Sequence, residues 1–111
     1  MTTYNPDKWA IIKIVAKDSG ETLYKVMGSW YGGFGGSNSW KLNSGIDNIE
    51  KINGCFHYHG YSGSVYVCHE SAYGMSMYTH SVYESYRTQC EEAGIGSFEA
   101  LTREEALALE L

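Results

Sequence analysis

The sequence holds one proline, three cysteines, eight lysines and arginines, and no long apolar run; each shortage removes a class of protein. Its main apolar stretch, Ala10 to Ala16, is interrupted by Lys13 and follows a polar opening from Met1 to Asp7. Neither a secretory leader nor a membrane span is expected. Thirteen acidic residues outnumber the basic ones, giving a net charge of −5, and the lysines and arginines do not cluster. Phosphate backbones are neutralised by clustered positive charge, so no nucleic-acid partner is expected. An odd number of cysteines in a chain able to build its own core argues for free thiols in a reducing compartment, which makes the cytoplasm the expected location. The 43% hydrophobic and 19% charged fractions are those of a folded protein, and no break in composition marks a linker. Residues 1–111 therefore read as a single domain.

Tyrosine and glycine are abundant instead, at 10 and 13 residues. Tyrosine suits half-buried sheets and binding faces, because its ring buries area while its hydroxyl keeps a polar partner. Three short β-rich runs lie between Ile49 and His69, divided by Asn53-Gly54 and by Gly60 to Gly63. Asn-Gly tolerates the two positive φ angles of a type I′ hairpin turn. This turn sets Ile52 opposite Cys55, Glu50 opposite His57 and Asn48 opposite His59. A four-residue loop from Gly60 to Gly63 would set His59 opposite Ser64, His57 opposite Tyr66 and Cys55 opposite Cys68. Side chains alternate across a strand, so Ile49, Phe56, Tyr58, Val65 and Val67 form the expected core face. Glu50, Cys55, His57, His59, Tyr66 and Cys68 share the other.

Upstream, Trp9 to Lys17 and Thr22 to Trp30 read as strands around Ser19-Gly20, with Lys17 facing Thr22, Val15 facing Tyr24 and Lys13 facing Val26. A glycine-rich connection, Tyr31 to Asn38, leads to a strand near Ser39-Trp40. Ser44-Gly45 breaks or bulges that strand before Ile46 to Ile52 resumes it. Downstream, Met75, Tyr78, Thr79, Val82, Tyr86, Cys90 and Ala93 follow the spacing of one helical face, so a helix is expected from Ser76 to Ala93, stopped by Gly94. Phe98 to Leu101 is an edge strand or the approach to a second, shorter helix, which Thr102 and Glu105 open as a capping box. The expected fold is α+β: an antiparallel, mostly meandering sheet of five to six strands, one main helix packed on one face, and a short C-terminal helix. Sparsely charged edges such as Trp9 to Ala16 invite pairing between copies, so a homo-oligomer is expected.

Several groups could carry chemistry. The glycines from Gly28 to Gly36 lack the lysine and the following helix of a phosphate loop, so they read as a hairpin loop flanked by Trp30 and Trp40. Cys55, His57 and Cys68 are candidate metal ligands, with His59 and His69 nearby, although no tight Cys-x-x-Cys accompanies them. Two ordinary thiols on a polar face explain them more simply. Glu50, His57 and Tyr66 form a candidate catalytic row: a carboxylate to orient an imidazole, and a phenol to donate or relay a proton. An open sheet face excludes little water, and such rows are more often structural. Glu91, Glu92, Glu99, Glu104, Glu105 and Glu110 suggest an acidic DNA-like surface or, more simply, solvated helix faces. His80 and Glu84 form an exposed helical pair.

Ser39-Trp-Lys-Leu-Asn-Ser-Gly-Ile46, Gly60-Tyr-Ser-Gly-Ser-Val-Tyr-Val-Cys-His69 and Tyr73-Gly-Met-Ser-Met-Tyr78 resemble small uncharacterised proteins of tailed bacteriophages, including phages of marine cyanobacteria. The likeness spans about Trp30 to Val82. That family has no assigned activity, so the resemblance implies a phage accessory protein made in an infected bacterium and carries over no residue roles. The expected function is a non-enzymatic protein that binds a host or viral protein, without a cofactor. Its candidate binding residues are Tyr61, Tyr66, Tyr73, Tyr83, Trp30, Trp40 and the Gly32 to Gly36 loop. The alternatives are a small enzyme or metal protein using the Cys/His/Glu/Tyr face, or a structural virion component.

Overall fold

The computed structural model describes residues 2–32 and 38–111. In chain order these form β1 (Thr3–Tyr4), β2 (Lys8–Ala16), β3 (Thr22–Trp30), β4 (Ser39–Leu42), β5 (Ile46–Ile52), β6 (Cys55–Gly60), β7 (Val65–His69), a 3-10 turn (Glu70–Ala72), α1 (Met77–Ala93), β8 (Gly96–Ala100) and α2 (Arg103–Leu107). The α+β class with mostly antiparallel pairing, one main helix and a short C-terminal helix is as expected. The strand count is not: among the described residues eight strands form two four-stranded sheets, ordered β1-β7-β6-β5 and β4-β3-β2-β8.

The division falls at Asn43 to Gly45, so Ser44-Gly45 is a break between strands of different sheets and not a bulge within one strand. Asn43 completes the pairing of β4 with β3: its amide donates to the Val26 carbonyl at 3.0 Å, and its Oδ1 accepts from the Val26 amide at 2.8 Å. Both backbone groups of Val26 are then satisfied, and the chain leaves for the other sheet. β5 accordingly pairs with β6 and not with β3.

Turn chemistry sets the registers. Asn53 and Gly54 adopt φ of 50° and 76°, and the pairs Ile52–Cys55, Glu50–His57 and Asn48–His59 follow as expected. The next turn is one residue shorter than expected. The Gly60 amide donates to Ser64 O and the Gly63 amide to Gly60 O, leaving a three-residue loop with Gly63 at φ 93°. That is the three-residue hairpin whose last position needs a left-handed residue. His59 therefore faces Val65, His57 faces Val67, Cys55 faces His69, Phe56 faces Cys68 and Tyr58 faces Tyr66. A one-residue slip inverts a strand, so Tyr66 and Cys68 move to the core face while Val65 and Val67 turn to the other, where Val65 is still buried and Val67 half-exposed. In the β2–β3 hairpin the turn spans four residues, and Val15 faces Thr22 while Ile11 faces Val26. This shift of two from the expected pairing leaves the faces unchanged.

The two sheets stack. Trp9, Ile11 and Val26 from the second sheet meet Ile46, Phe56, Tyr58, Tyr66 and Cys68 from the first, closed at one end by Ala106. On the far side of the second sheet, Ile12 and Met27 pack with Phe98 of β8 and Tyr83 of α1, bordered by Val82 and Cys90. The result is three layers, sheet on sheet on helix. Ser76 caps α1 by accepting from the Thr79 amide, and the Gly94 amide closes it onto Cys90 and Glu91 carbonyls. The buried helical positions are Thr79 and Tyr83, so the face is rotated from the expected stripe, whose Tyr78 and Tyr86 are exposed. Thr102 and Glu105 form the expected capping box of α2. β2 lies inside its sheet between β3 and β8, which corrects its reading as a free edge.

Candidate functional site

The chemical side chains collect on the outer face of the first sheet. β6 alternates strictly, burying Phe56 and Tyr58 and leaving Cys55, His57 and His59 half-exposed. Register adds Glu50 and Ile52 from β5 and Val67 and His69 from β7. Glu50 lies across from His57, yet its Oε1 reaches the diagonal neighbour, His59 Nε2, at 2.6 Å. Cross-strand diagonals lie within reach of such long side chains. Both groups are substantially exposed, at 34% for His59 and 52% for Glu50, so the pair contributes at most about 1 kcal/mol to stability. In the neutral imidazole this contact leaves the proton on Nε2 and Nδ1 as acceptor. His69 serves the backbone, its Nδ1 accepting from the Ser71 amide at 3.4 Å and from the Ser71 hydroxyl at 2.7 Å.

Tyr66, expected to complete the row with Glu50 and His57, is buried between the sheets against Tyr4, their rings 4.9 Å apart. Burial, with Tyr4 adding to it, pushes its phenol up to about 12. Cys68 is fully buried opposite Phe56, and burial, reinforced by nearby Cys55, pushes its thiol up as well. Enclosed on the core face, the Cys68 sulfur is turned away from Cys55 and His57 and cannot share a metal ion with them. The proposed metal set thus loses Cys68, the catalytic row loses Tyr66, and a Cys55–Cys68 crosslink is disfavoured by their opposite faces. Among the described residues no three histidine, cysteine or acidic side chains are arranged to hold a metal ion.

The candidate binding tyrosines divide the same way. Tyr73 stands edge-on to Trp9 at 4.8 Å, donates to Leu101 O at 2.6 Å and accepts from the Ile11 amide at 3.2 Å; burial pushes it up to about 12. Tyr83 is buried on the inner side of α1, where its hydroxyl donates to Glu99 at 3.2 Å and accepts from the Ala100 amide at 2.9 Å. Both are core braces. Trp30 donates to Asn5 O and packs near Tyr4, whereas Trp40 lies edge-on to Tyr86 on the other face, so the two tryptophans do not pair. Tyr61 alone of the four tyrosines is strongly exposed, at 62%, on the turn between β6 and β7. Of the glycine-rich loop, Gly32 donates to Asn38 Oδ1, and residues 33–37 lie outside the described residues.

His59 is the member of the site that the sequence reading left out of its catalytic row. The signal was available: the correctly read pairs Asn48–His59 and Glu50–His57 make Glu50 diagonal to His59. Surface clefts lie away from this face. One of about 450 Å³ runs between β5 and the C-terminal segment, and another of about 370 Å³ lies between Trp40 and the Tyr86 side of α1.

These features define a small three-layer α+β protein with a polar, histidine-bearing sheet face open to solvent. Comparison with models of known families, with curated proteins and with solved structures finds no match. No helix among the described residues is long and apolar enough to cross a membrane.

Proposed function

We propose that the protein is a non-enzymatic binding module that docks a host or viral protein on the outer face of its first sheet, with Tyr61 at the rim. The observation that carries this reading is that exposed Glu50 and half-exposed His57, His59 and Val67 share one sheet face, outside the clefts described above. Reactions are usually run in concave sites that exclude water, whereas a mixed polar and apolar strip of this kind suits a protein contact. The resemblance to tailed-phage proteins supports the setting, the cytoplasm of an infected bacterium, and a partner made there. The net charge of −5 favours a partner that is neutral or basic at the contact.

The test is affinity capture from phage-infected cells with the native chain and with Val67→Glu. A partner retained by the first and lost by the second, with equal thermal melts, is the expected outcome. A small-enzyme reading draws on the 2.6 Å Glu50–His59 contact. Turnover of any substrate that disappears in Glu50→Gln, with the fold unchanged, would replace the binding reading by that one.

A further inference from the structure

Of the four histidines in the chain, His57, His59 and His69 stand on the outer face of the first sheet, and they differ in what holds them. The Nδ1 of His69 is taken by the Ser71 amide and hydroxyl. His59 has its Nε2 against Glu50 Oε1 at 2.6 Å, and no hydrogen bond among the described residues reaches its Nδ1 or the ring of His57. Because a carboxylate only accepts, the Glu50 contact fixes the neutral His59 ring with its proton on Nε2 and a lone pair on Nδ1. Metal-bound histidines are oriented in this way: a carboxylate takes the far N–H, sets the tautomer and makes the ligating nitrogen more basic. His57 and His59 are two residues apart on β6, so they project from one face with Cα atoms about 6–7 Å apart. Two imidazoles leaning together from that spacing can share one ion at bond lengths of about 2.0–2.1 Å.

We propose that His57 and His59 chelate a divalent ion of the zinc class, with His59 ligating through Nδ1 and Glu50 holding its far side as a positioning residue. Imidazole suits zinc, copper and nickel, whereas magnesium and calcium take oxygen ligands. The chelate needs only two protein ligands, because water reaches an open face and fills the remaining positions. It therefore agrees with the lack of a three-ligand cluster among the described residues. Cys55 continues the same row of β6, yet it lies about 13 Å along the strand from His59 and cannot close the same ring. Glu50 is opposite His57 and diagonal to His59, and its bond to Nε2 leaves Nδ1 free for the ion. The three side chains define this site whether or not a protein docks on the face.

Calorimetric titration of the full chain with zinc chloride tests the site. One ion per chain is expected. Glu50→Ala should weaken binding by about 10–100-fold, and His57→Gln and His59→Gln each by at least about tenfold. Cys55→Ser and His80→Gln, which alter the nearest thiol and the helical histidine paired with Glu84, should leave it unchanged. Thermal melts of each variant separate a lost site from a lost fold. Long-range proton–nitrogen NMR of the imidazoles reads the ligating atom: zinc should shift Nδ1 of His59 while Nε2 keeps its proton, and Glu50→Ala should lose that preference. No binding up to about millimolar zinc overturns the proposal. So does binding that survives His59→Gln, binding lost in Cys55→Ser, or a Glu50→Ala protein that holds zinc as tightly as the native chain.

Discussion

The two sheets of this protein are built on different sequence rules. β6 in the first reads half-exposed and buried in strict alternation, because one side meets the core and the other meets water. In the second, Trp9, Ala10, Ile11 and Ile12 are buried in succession, because β2 has the first sheet on one side and α1 on the other. Continuous burial of this kind is typical of sheets covered on both faces and is unusual in an antiparallel one. A strand's apolar pattern therefore reports how many layers surround it. Chemistry is left to the sheet with a free face.

The largest consequence lies in the doubly covered strand. Ile12→Asp and Ile11→Asp point to opposite sides, and each buries an unpaired charge, so each should cost at least about 3 kcal/mol. His57→Gln on the open face should stay within about 0.5 kcal/mol. Chemical denaturation comparing the three would break the contrast if Ile12→Asp proved as mild as His57→Gln.

Alkaline pH sharpens the same contrast. Tyr66 and Tyr73 are held near 12 in the folded protein, while a phenol in the unfolded chain titrates near 10. Between those values the unfolded state gives up protons that the folded state keeps, so stability is fully present below about pH 10 and falls as pH approaches 12. Near-UV circular dichroism should collapse in that window. A signal unchanged through pH 12 would show that the space between the sheets is wetter than described.

The smallest effect has opposite signs at two tyrosines. Tyr83→Phe removes a hydroxyl that holds the Ala100 amide and Glu99, and should cost about 1 kcal/mol. The Tyr58 hydroxyl is buried without a partner among the described residues. Tyr58→Phe should therefore stabilise by about 1 kcal/mol, since it removes a desolvated group that gains nothing in return. Equal shifts in thermal melts would mean that Tyr58 is satisfied by internal water.

Legibility in the sequence followed the range of the interactions. The Asn53-Gly54 hairpin, the Ser76 and Gly94 ends of α1 and the Thr102–Glu105 capping box are local devices, and all were readable. The Gly60 to Ser64 turn was local too, but its outcome depends on whether Gly60 pairs with Ser64. That single choice carried Tyr66 and Cys68 from the supposed site into the core. The second sheet was least readable, because β8 joins β2 from the far end of the chain and no local signal announces the pairing. For the site, Glu50, Cys55 and His57 were placed on the correct face, and His59 was missed only as the partner of Glu50.

The position of α1 and β8 late in the chain has a consequence for synthesis. Ile12 and Met27 leave the ribosome early, and the first sheet can cover only the opposite side of β2 and β3. Their own side stays bare until Tyr83 and then Phe98 have been made. During that interval the nascent chain presents an apolar, unpaired β2 edge, the kind of surface that chaperones hold and that aggregates recruit. The last strand made thus closes both the edge and the layer at once.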